Sequence, residues 1–162
     1  MGVFFSGKEL IEVAINIEQN GITFYQSLAN KTGNSAAREI YNYLAEQEKK
    51  HLAKFQDFQK TTGGYQPIED YTGESALYLK AFVKHLVFTD DAMRQIETGQ
   101  EFDELKAIET GINAEKDSIL FYSEMQSLIP QSDQHVVYDI TSEEKRHLLQ
   151  LSDLKEKLKV SK

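Results

Sequence analysis

Residues 44–55 of the chain are LAEQEKKHLAKF, and residues 140–151 are ITSEEKRHLLQL. Both stretches carry a glutamate and, three positions later, a histidine: Glu48, His51, Glu144 and His147. Residues three apart lie on one face of an α-helix. If both stretches are helical, each therefore presents a carboxylate and an imidazole side by side.

A second pair of matching stretches precedes the first. Residues 15–25 are INIEQNGITFY and residues 112–122 are INAEKDSILFY, which places Glu18 and Glu115 at equivalent positions. A repeat of this kind indicates two copies of one structural unit. Because each unit contains two helical stretches, we predict two helical hairpins that pair into a four-helix bundle. The segment between them, from about residue 64 to residue 100, would be the crossover with a short extra helix.

The glutamates and histidines of the repeat fall within apolar stripes. Apolar residues recur at helical spacing around each of them, as Ile15 and Ile22 do around Glu18. Buried carboxylates are costly unless they are paired or bind a metal, and no Lys or Arg lies on these stripes. Carboxylate and imidazole together suit iron, manganese or zinc. The pattern predicts a two-metal site with six ligands: Glu18, Glu48, His51, Glu115, Glu144 and His147.

A single Glu-x-x-His on a helix is most often a solvated ion pair, and a structural bundle with a degenerate site is the plain alternative. Two such motifs in matching halves, each paired with a glutamate on a partner helix, are a much rarer coincidence. The complete set of six residues favours the metal site over that alternative.

The boundaries of the helices are predicted from capping residues, glycines and prolines. Ser6 and Glu9 form a capping box, Gly33 follows the first helix, and Pro130 closes the third long helix. The expected helices run from Ser6 to about Asn30, from Ser35 to before Gly63, roughly from Glu74 to Phe88, over a turn or two between Thr89 and Gly99, from about Phe102 to Leu128, and from Ser132 or Asp133 nearly to the C-terminus. The whole chain, residues 1–162, is expected to form one all-α domain.

The amino-acid composition excludes several classes of partner and of functional site. The net charge is −8, which disfavours a nucleic-acid partner. There is no cysteine, which excludes disulfides, thiolate-bound metals and a thiol nucleophile. No signal peptide and no apolar run of membrane-spanning length are evident, so we expect a cytoplasmic protein with no membrane partner.

With these residues in view, the chain resembles the ferritin-like superfamily, and within it the rubrerythrin-type proteins that consist of the bundle alone. The resemblance implies two iron ions per chain, with manganese or zinc as alternatives. It implies that Glu18 and His51 are terminal ligands of one ion, Glu115 and His147 of the other, and that Glu48 and Glu144 bridge. The implied activity is reduction of hydrogen peroxide or dioxygen in defence against oxidative stress. Iron oxidation for storage or detoxification is the alternative.

The chain departs from the rubrerythrin pattern at two places. Without cysteine it lacks a rubredoxin domain, so electrons must come from an external, rubredoxin-like donor. Rubrerythrins also carry an additional glutamate three residues after the ligand on the third helix, where this chain has Ser118. We therefore expect a symmetric site that reacts with peroxide without a large preference over dioxygen. A homodimer is expected.

Two tyrosines and two histidines outside the set of six are further polar residues of the predicted helices. Tyr25 and Tyr122 lie seven residues after Glu18 and Glu115, so they are placed either to hydrogen-bond the ligands or to fill the core, with radical relay as a remote option. His85 is expected to pack in the core or at its boundary, and His135 to be solvated.

Overall fold

The computed structural model describes residues 7–62, 74–86 and 102–160. Within these ranges the chain forms five α-helices and no strand, which confirms the all-α prediction. The helices are α1 (Gly7–Lys31), α2 (Ser35–Thr62), α3 (Glu74–Lys84), α4 (Glu104–Leu128) and α5 (Gln134–Val160).

The four long helices pair as two hairpins. The α1 helix packs along α2, and α4 packs along α5, each pair being joined by a short loop. The hairpins meet through α1 against α4 and α2 against α5, which closes a four-helix bundle. At one end, Glu104 at the start of α4 accepts hydrogen bonds from Thr32 (2.5 Å) and Tyr41 (2.6 Å) of the first hairpin.

The interior of the bundle consists of two apolar clusters. One contains Leu10, Phe55, Tyr122 and Ile140, and the other contains Phe24, Tyr25, Leu44, Ile108 and Leu151, among others. The buried glutamates and histidines lie between the two clusters along the helices, and they are called the polar layer below. Apolar side chains therefore close the polar layer off from water along the bundle axis.

The helices α2 and α4 differ from the sequence prediction at their N-terminal caps, and only α4 also starts at a different residue. Asn34, and not Ser35, caps α2. The side chain of Asn34 accepts a hydrogen bond from the backbone N–H of Ala37, three residues later, at 3.0 Å. Both residue types cap helices well, so residue type alone does not favour Ser35 over Asn34. The α4 helix begins at Glu104 and not at Phe102, because Asp103 caps it by accepting from Lys106 N at 3.1 Å.

The short helix α3 ends at Lys84, before the predicted end at Phe88. The backbone N–H groups of His85 and Leu86 donate to carbonyls three residues back, so the last turn tightens and the helix stops. His85 is exposed, so the expectation that it packs in the core or at its boundary is wrong. The predicted capping residue Ser6 and the predicted turn between residues 89 and 99 lie outside the described residues.

Candidate metal centre

Six acidic and imidazole side chains from four helices meet in the polar layer. The α1 and α4 helices contribute one glutamate each, and α2 and α5 contribute a glutamate and a histidine each, because positions i and i+3 share a helix face. All six are at most 4% exposed: Glu18, Glu48, His51, Glu115, Glu144 and His147. The structure thus brings together every residue that the sequence predicted as a ligand.

These six residues form two overlapping groups. In each group the potential ligand atoms, one from each residue, all lie within 4.8 Å of one another. The first group adds Glu18 and His51 to two shared glutamates, and the second adds Glu115 and His147 to the same two. The shared residues are Glu48 and Glu144.

Nδ1 of His51 faces the centre of the first group. Three carboxylate oxygens lie 3.2 Å, 3.4 Å and 3.5 Å from it, and they belong to Glu144, Glu48 and Glu18. The ring is fully buried. This nitrogen is thus directed at the point that the carboxylates surround.

Nδ1 of His147 faces the second group in the same way. The surrounding oxygens lie at 2.9 Å, 3.4 Å and 3.8 Å and belong to Glu144, Glu48 and Glu115. The rings of His51 and His147 are stacked, with centroids 5.5 Å apart and planes inclined by 20°. The two groups are therefore adjacent and similarly oriented.

Several atoms of this cluster are buried without a hydrogen-bond partner. They are Oε2 of Glu18, both carboxylate oxygens of Glu144, and Nδ1 of His51 and of His147. Buried polar atoms normally have partners, and exceptions in a native structure call for an explanation. Two divalent cations, one within each group, would satisfy these atoms and balance the charge of four carboxylates. The residues present therefore fit a two-metal centre.

Two tyrosines hold the terminal glutamates from opposite sides of the polar layer. The hydroxyl of Tyr25 on α1 donates to Oε1 of Glu115 on α4, and the hydroxyl of Tyr122 on α4 donates to Oε1 of Glu18 on α1. Each contact joins the two hairpins. Each also occupies one carboxylate oxygen, which leaves the other directed at the cluster.

The sequence matches the rubrerythrin family over residues 9–155. The chain belongs to the rubrerythrin family. None of the curated proteins gives a significant match. Among solved structures, one similar fold is that of a Thermotoga maritima protein described as a ferritin-like diiron-carboxylate protein: TM-score 0.69, 23% identity, 94% of this chain and 95% of that chain covered. A hypothetical protein from Pyrococcus furiosus gives a TM-score of 0.66 at 21% identity, covering 94% and 89%.

Membership of the rubrerythrin family agrees with the resemblance inferred from the six residues. The likeness to the Thermotoga maritima structure confirms the ferritin-like fold. None of the helices within the described ranges is long and apolar enough to cross a membrane.

The histidines of this rubrerythrin-family site are electrostatically coupled to its carboxylates. Burial by itself lowers the pKa of His147, but the neighbouring Glu115, Glu144 and Glu48 outweigh burial and raise the pKa to about 12. The same balance holds the pKa of His51 well above its ordinary value. Without metal, both rings are therefore protonated at neutral pH.

The terminal glutamates also hold protons more tightly than usual. Burial is the largest cause of the raised pKa of Glu18, and the charges of Glu48 and Glu144 add to it. Burial and the charge of Glu144 likewise raise the pKa of Glu115. A metal ion that enters the cluster must displace these protons.

The two positions one turn beyond the terminal glutamates differ. Gly21 follows Glu18, and a Cβ added there would lie 3.2 Å from Cγ of Glu48, which is tighter than ordinary contact. Ser118 follows Glu115, is buried, and donates its hydroxyl to the carbonyl of Ala114 on its own helix at 3.1 Å. The serine hydroxyl is thus engaged by its helix.

The structure adds one residue that the sequence prediction missed. Oε2 of Glu143 lies 2.6 Å from Nε2 of His51, the ring nitrogen opposite the one that faces the cluster. The signal in the sequence was its position one turn before His147, at the edge of the apolar stripe. The equivalent position in the other repeat is Gln47, so the comparison of the two repeats did not single out Glu143.

Proposed function

We propose that this protein is a di-iron carboxylate oxidoreductase that reduces hydrogen peroxide or dioxygen and protects against oxidative stress. The observation that supports it most is the set of buried, unpartnered oxygen and nitrogen atoms in a cluster of four carboxylates and two imidazoles. Membership of the rubrerythrin family supports the same assignment.

The six residues would have two kinds of role in the proposed centre. Glu18 and His51 would hold one ion, and Glu115 and His147 would hold the other. Glu48 and Glu144 would serve both ions, because each belongs to both groups. Tyr25 and Tyr122 engage one oxygen of Glu115 and of Glu18, so the other oxygen of each glutamate would be available to an ion.

Charge and donor type support a pair of divalent metal ions. Two divalent cations neutralise four carboxylates, and a mixed carboxylate and imidazole donor set suits iron, manganese or zinc. A pair of ferrous ions, when bound, supplies the two electrons that reduce peroxide to water. The chain's contribution is to hold the ions together, to position the carboxylates and to keep bulk water out with the apolar clusters on either side.

Anaerobic titration with iron(II) tests the metal site. We expect two ions per chain for the wild type and one for His51→Ala and for His147→Ala. His135→Ala is the matched control, because His135 is an exposed histidine on the same helix as His147. Retention of no iron by the wild type would overturn the proposal in favour of a structural bundle.

The oxidant is tested by stopped-flow mixing of the di-ferrous protein with peroxide or dioxygen. We expect oxidation by both without a large preference, since Ser118 adds no carboxylate to the site. Ser118→Glu should shift the preference toward peroxide. A wild-type preference for peroxide of a hundredfold, about 2.7 kcal/mol in barrier, would show that the extra glutamate is not required for it.

The same preparation separates this function from iron storage. Gel filtration with iron analysis after aerobic loading should give a small homodimer with about two irons per chain, as expected for a two-metal site. With a reduced rubredoxin-like donor, peroxide consumption should then continue over many turnovers. Accumulation of many irons per chain in a large assembly would instead support the storage function.

A further inference from the structure

Glu143 contacts the candidate metal centre from outside. Its carboxylate belongs to α5, and the histidine it contacts belongs to α2, so the contact crosses between the hairpins at 2.6 Å. The Glu143 side chain is 26% exposed, whereas His51 is fully buried. The other oxygen, Oε1, lies 3.5 Å from Nζ of Lys54 and 3.8 Å from Arg146, and these two cations hold the carboxylate in place.

This contact fixes which nitrogen of His51 is available to a metal. Nδ1 faces the three cluster carboxylates and has no hydrogen-bond partner, while Nε2 faces Glu143. Nε2–H therefore donates to Glu143, and once Nδ1 gives up its proton to an incoming metal ion, the lone pair lies on Nδ1. A carboxylate in this position sets the tautomer and ring orientation of a metal-ligating histidine and increases its basicity.

The other repeat has no equivalent charge. Gln47 precedes Glu48 as Glu143 precedes Glu144, and its amide oxygen accepts from Lys50 at 3.4 Å. Within the described part of the chain, the carboxylates that pair with His147 are Glu48, Glu115 and Glu144, all of them members of the cluster itself. A neutral amide at position 47 can orient a ring but adds no negative charge behind it.

We propose that the two metal positions are inequivalent, and that the position at His51 binds a divalent cation more tightly and fills first. Glu143 is the positioning residue that creates the difference. The donor sets of the two positions are otherwise the same, with two shared glutamates, one terminal glutamate and one histidine. The inference rests on the proposed metal-binding function, which it deepens by assigning an order of filling.

Stepwise titration with cobalt(II), followed by visible absorption and calorimetry, tests the order. The wild type should bind two ions in two resolved steps. His147→Ala should retain the tighter step and His51→Ala the weaker one. Glu143→Gln keeps the size of the side chain and removes its charge, so it should weaken the first step by about 10- to 100-fold, the usual effect of losing such a partner, and leave the second step unchanged.

Two further variants guard against an unspecific effect. Glu156→Gln removes an exposed carboxylate of the same helix, paired with Lys159, and should change neither step. Gln47→Glu supplies the missing carboxylate to the other repeat and should strengthen the second step. This arm decides the question even if Glu143→Gln does not fold.

A spectroscopic signal separates positioning from mere folding support. In the cobalt-loaded wild type, the Nε2 proton of His51 should give a paramagnetically shifted resonance that exchanges slowly with water, because it is hydrogen-bonded. Glu143→Gln should speed that exchange.

The possible outcomes test the inequivalence of the two positions and the existence of the metal centre separately. Two steps of equal affinity, or two steps that neither Glu143→Gln nor Gln47→Glu alters, would overturn the inequivalence and leave the metal centre standing. No cobalt or iron binding by the wild type would overturn the metal centre itself.

Discussion

The hairpin of α1 and α2 and the hairpin of α4 and α5 each supply one single glutamate and one Glu-x-x-His pair, but they differ at positions close to those donors in the sequence. The α1 helix has Gly21 where α4 has Ser118, and α2 has Gln47 where α5 has Glu143. The glycine allows α1 to approach Glu48 closely. The serine bonds only its own helix.

The six donor residues are of the same types in both hairpins, whereas residues around them differ. The donors repeat because each must lie inside the bundle on a particular helix face. The neighbouring positions carry no such requirement, so the two repeats differ there. The cluster is therefore symmetric in its six donors and asymmetric in what supports them.

The largest effect is expected from replacing a glutamate that belongs to both ligand groups, compared with one that belongs to a single group. Glu48→Gln should abolish tight binding of both ions, because Glu48 belongs to both groups, whereas Glu18→Gln should abolish only one. At a free metal concentration of 100 times Kd, each bound ion stabilises the fold by about 2.7 kcal/mol. Urea unfolding with and without metal should show both contributions lost in Glu48→Gln and one lost in Glu18→Gln.

The exposed Glu12 on α1 supplies the control for this experiment, and Glu12→Gln should behave as the wild type. If Glu48→Gln retained one tightly bound ion, as Glu18→Gln does, the two groups would not share that residue.

The next effect is the pH dependence of the metal-free protein. The pKa values of His51 and His147 are raised, so their contribution to stability is fully present below pH 6.5 and is lost as pH rises toward their folded pKa values. Above pH 6.5 the unfolded chain therefore binds fewer protons, and the free energy of unfolding falls by up to about 1.4 kcal/mol per pH unit for each histidine. Urea unfolding between pH 6 and pH 9, a window of about three units around the ordinary histidine range, measures it.

Metal should reverse this dependence, because the ions displace those protons and bind more tightly as pH rises. His51→Gln and His147→Gln should each reduce the metal-free slope without abolishing it, since the other histidine and the raised pKa values of Glu18 and Glu115 act in the same direction. A slope that only one of the two variants changes would show that the hairpins differ in this respect as well.

A smaller effect is expected from the two tyrosines, for which the repeats should behave alike. Tyr25→Phe and Tyr122→Phe each leave a buried carboxylate oxygen without its donor. Each should lower the free energy of unfolding of the metal-free protein by about 1–3 kcal/mol. Tyr138→Phe, at an exposed position of α5, is the control. Unequal costs for Tyr25→Phe and Tyr122→Phe would extend the asymmetry to the terminal ligands.

The smallest effect concerns the glycine and the serine. Gly21→Ala gains about 1 kcal/mol of helix propensity, but its Cβ would press on Cγ of Glu48 at an overpacking cost of about 1–3 kcal/mol. Ser118→Ala should change the free energy of unfolding by less than about 0.5 kcal/mol, because the lost bond is offset by better propensity. Unfolding and cobalt affinity measure both, and only Gly21→Ala should weaken metal binding. Equal metal affinity in the two variants would contradict the close approach of α1 to Glu48.

Local sequence patterns were sufficient to predict most of the helices but not all of their ends. The long α1, α2, α4 and α5 follow from helical periodicity. The caps at Asn34 and Asp103 depended on which of the neighbouring polar residues accepts from the first turn of the helix. The end of α3 at Lys84 depended on a tightened last turn, which no residue type in the sequence predicts.

The sequence by itself determined which residues could become ligands. Spacing of three within a helix places a glutamate and a histidine on one face, and the repeat doubles the arrangement, so Glu48, His51, Glu144 and His147 could be named without a structure. That information is local, because it depends only on the geometry of single helices.

Only the tertiary structure decided how these residues combine. It made Glu48 and Glu144 common to both groups, directed Tyr25 to Glu115 and Tyr122 to Glu18, and placed Glu143 behind His51. Each of these contacts joins helices that are far apart in sequence. Their geometry is set by how the four helices pack, because the rotation and height of one helix against another depend on the whole apolar core and on no single motif.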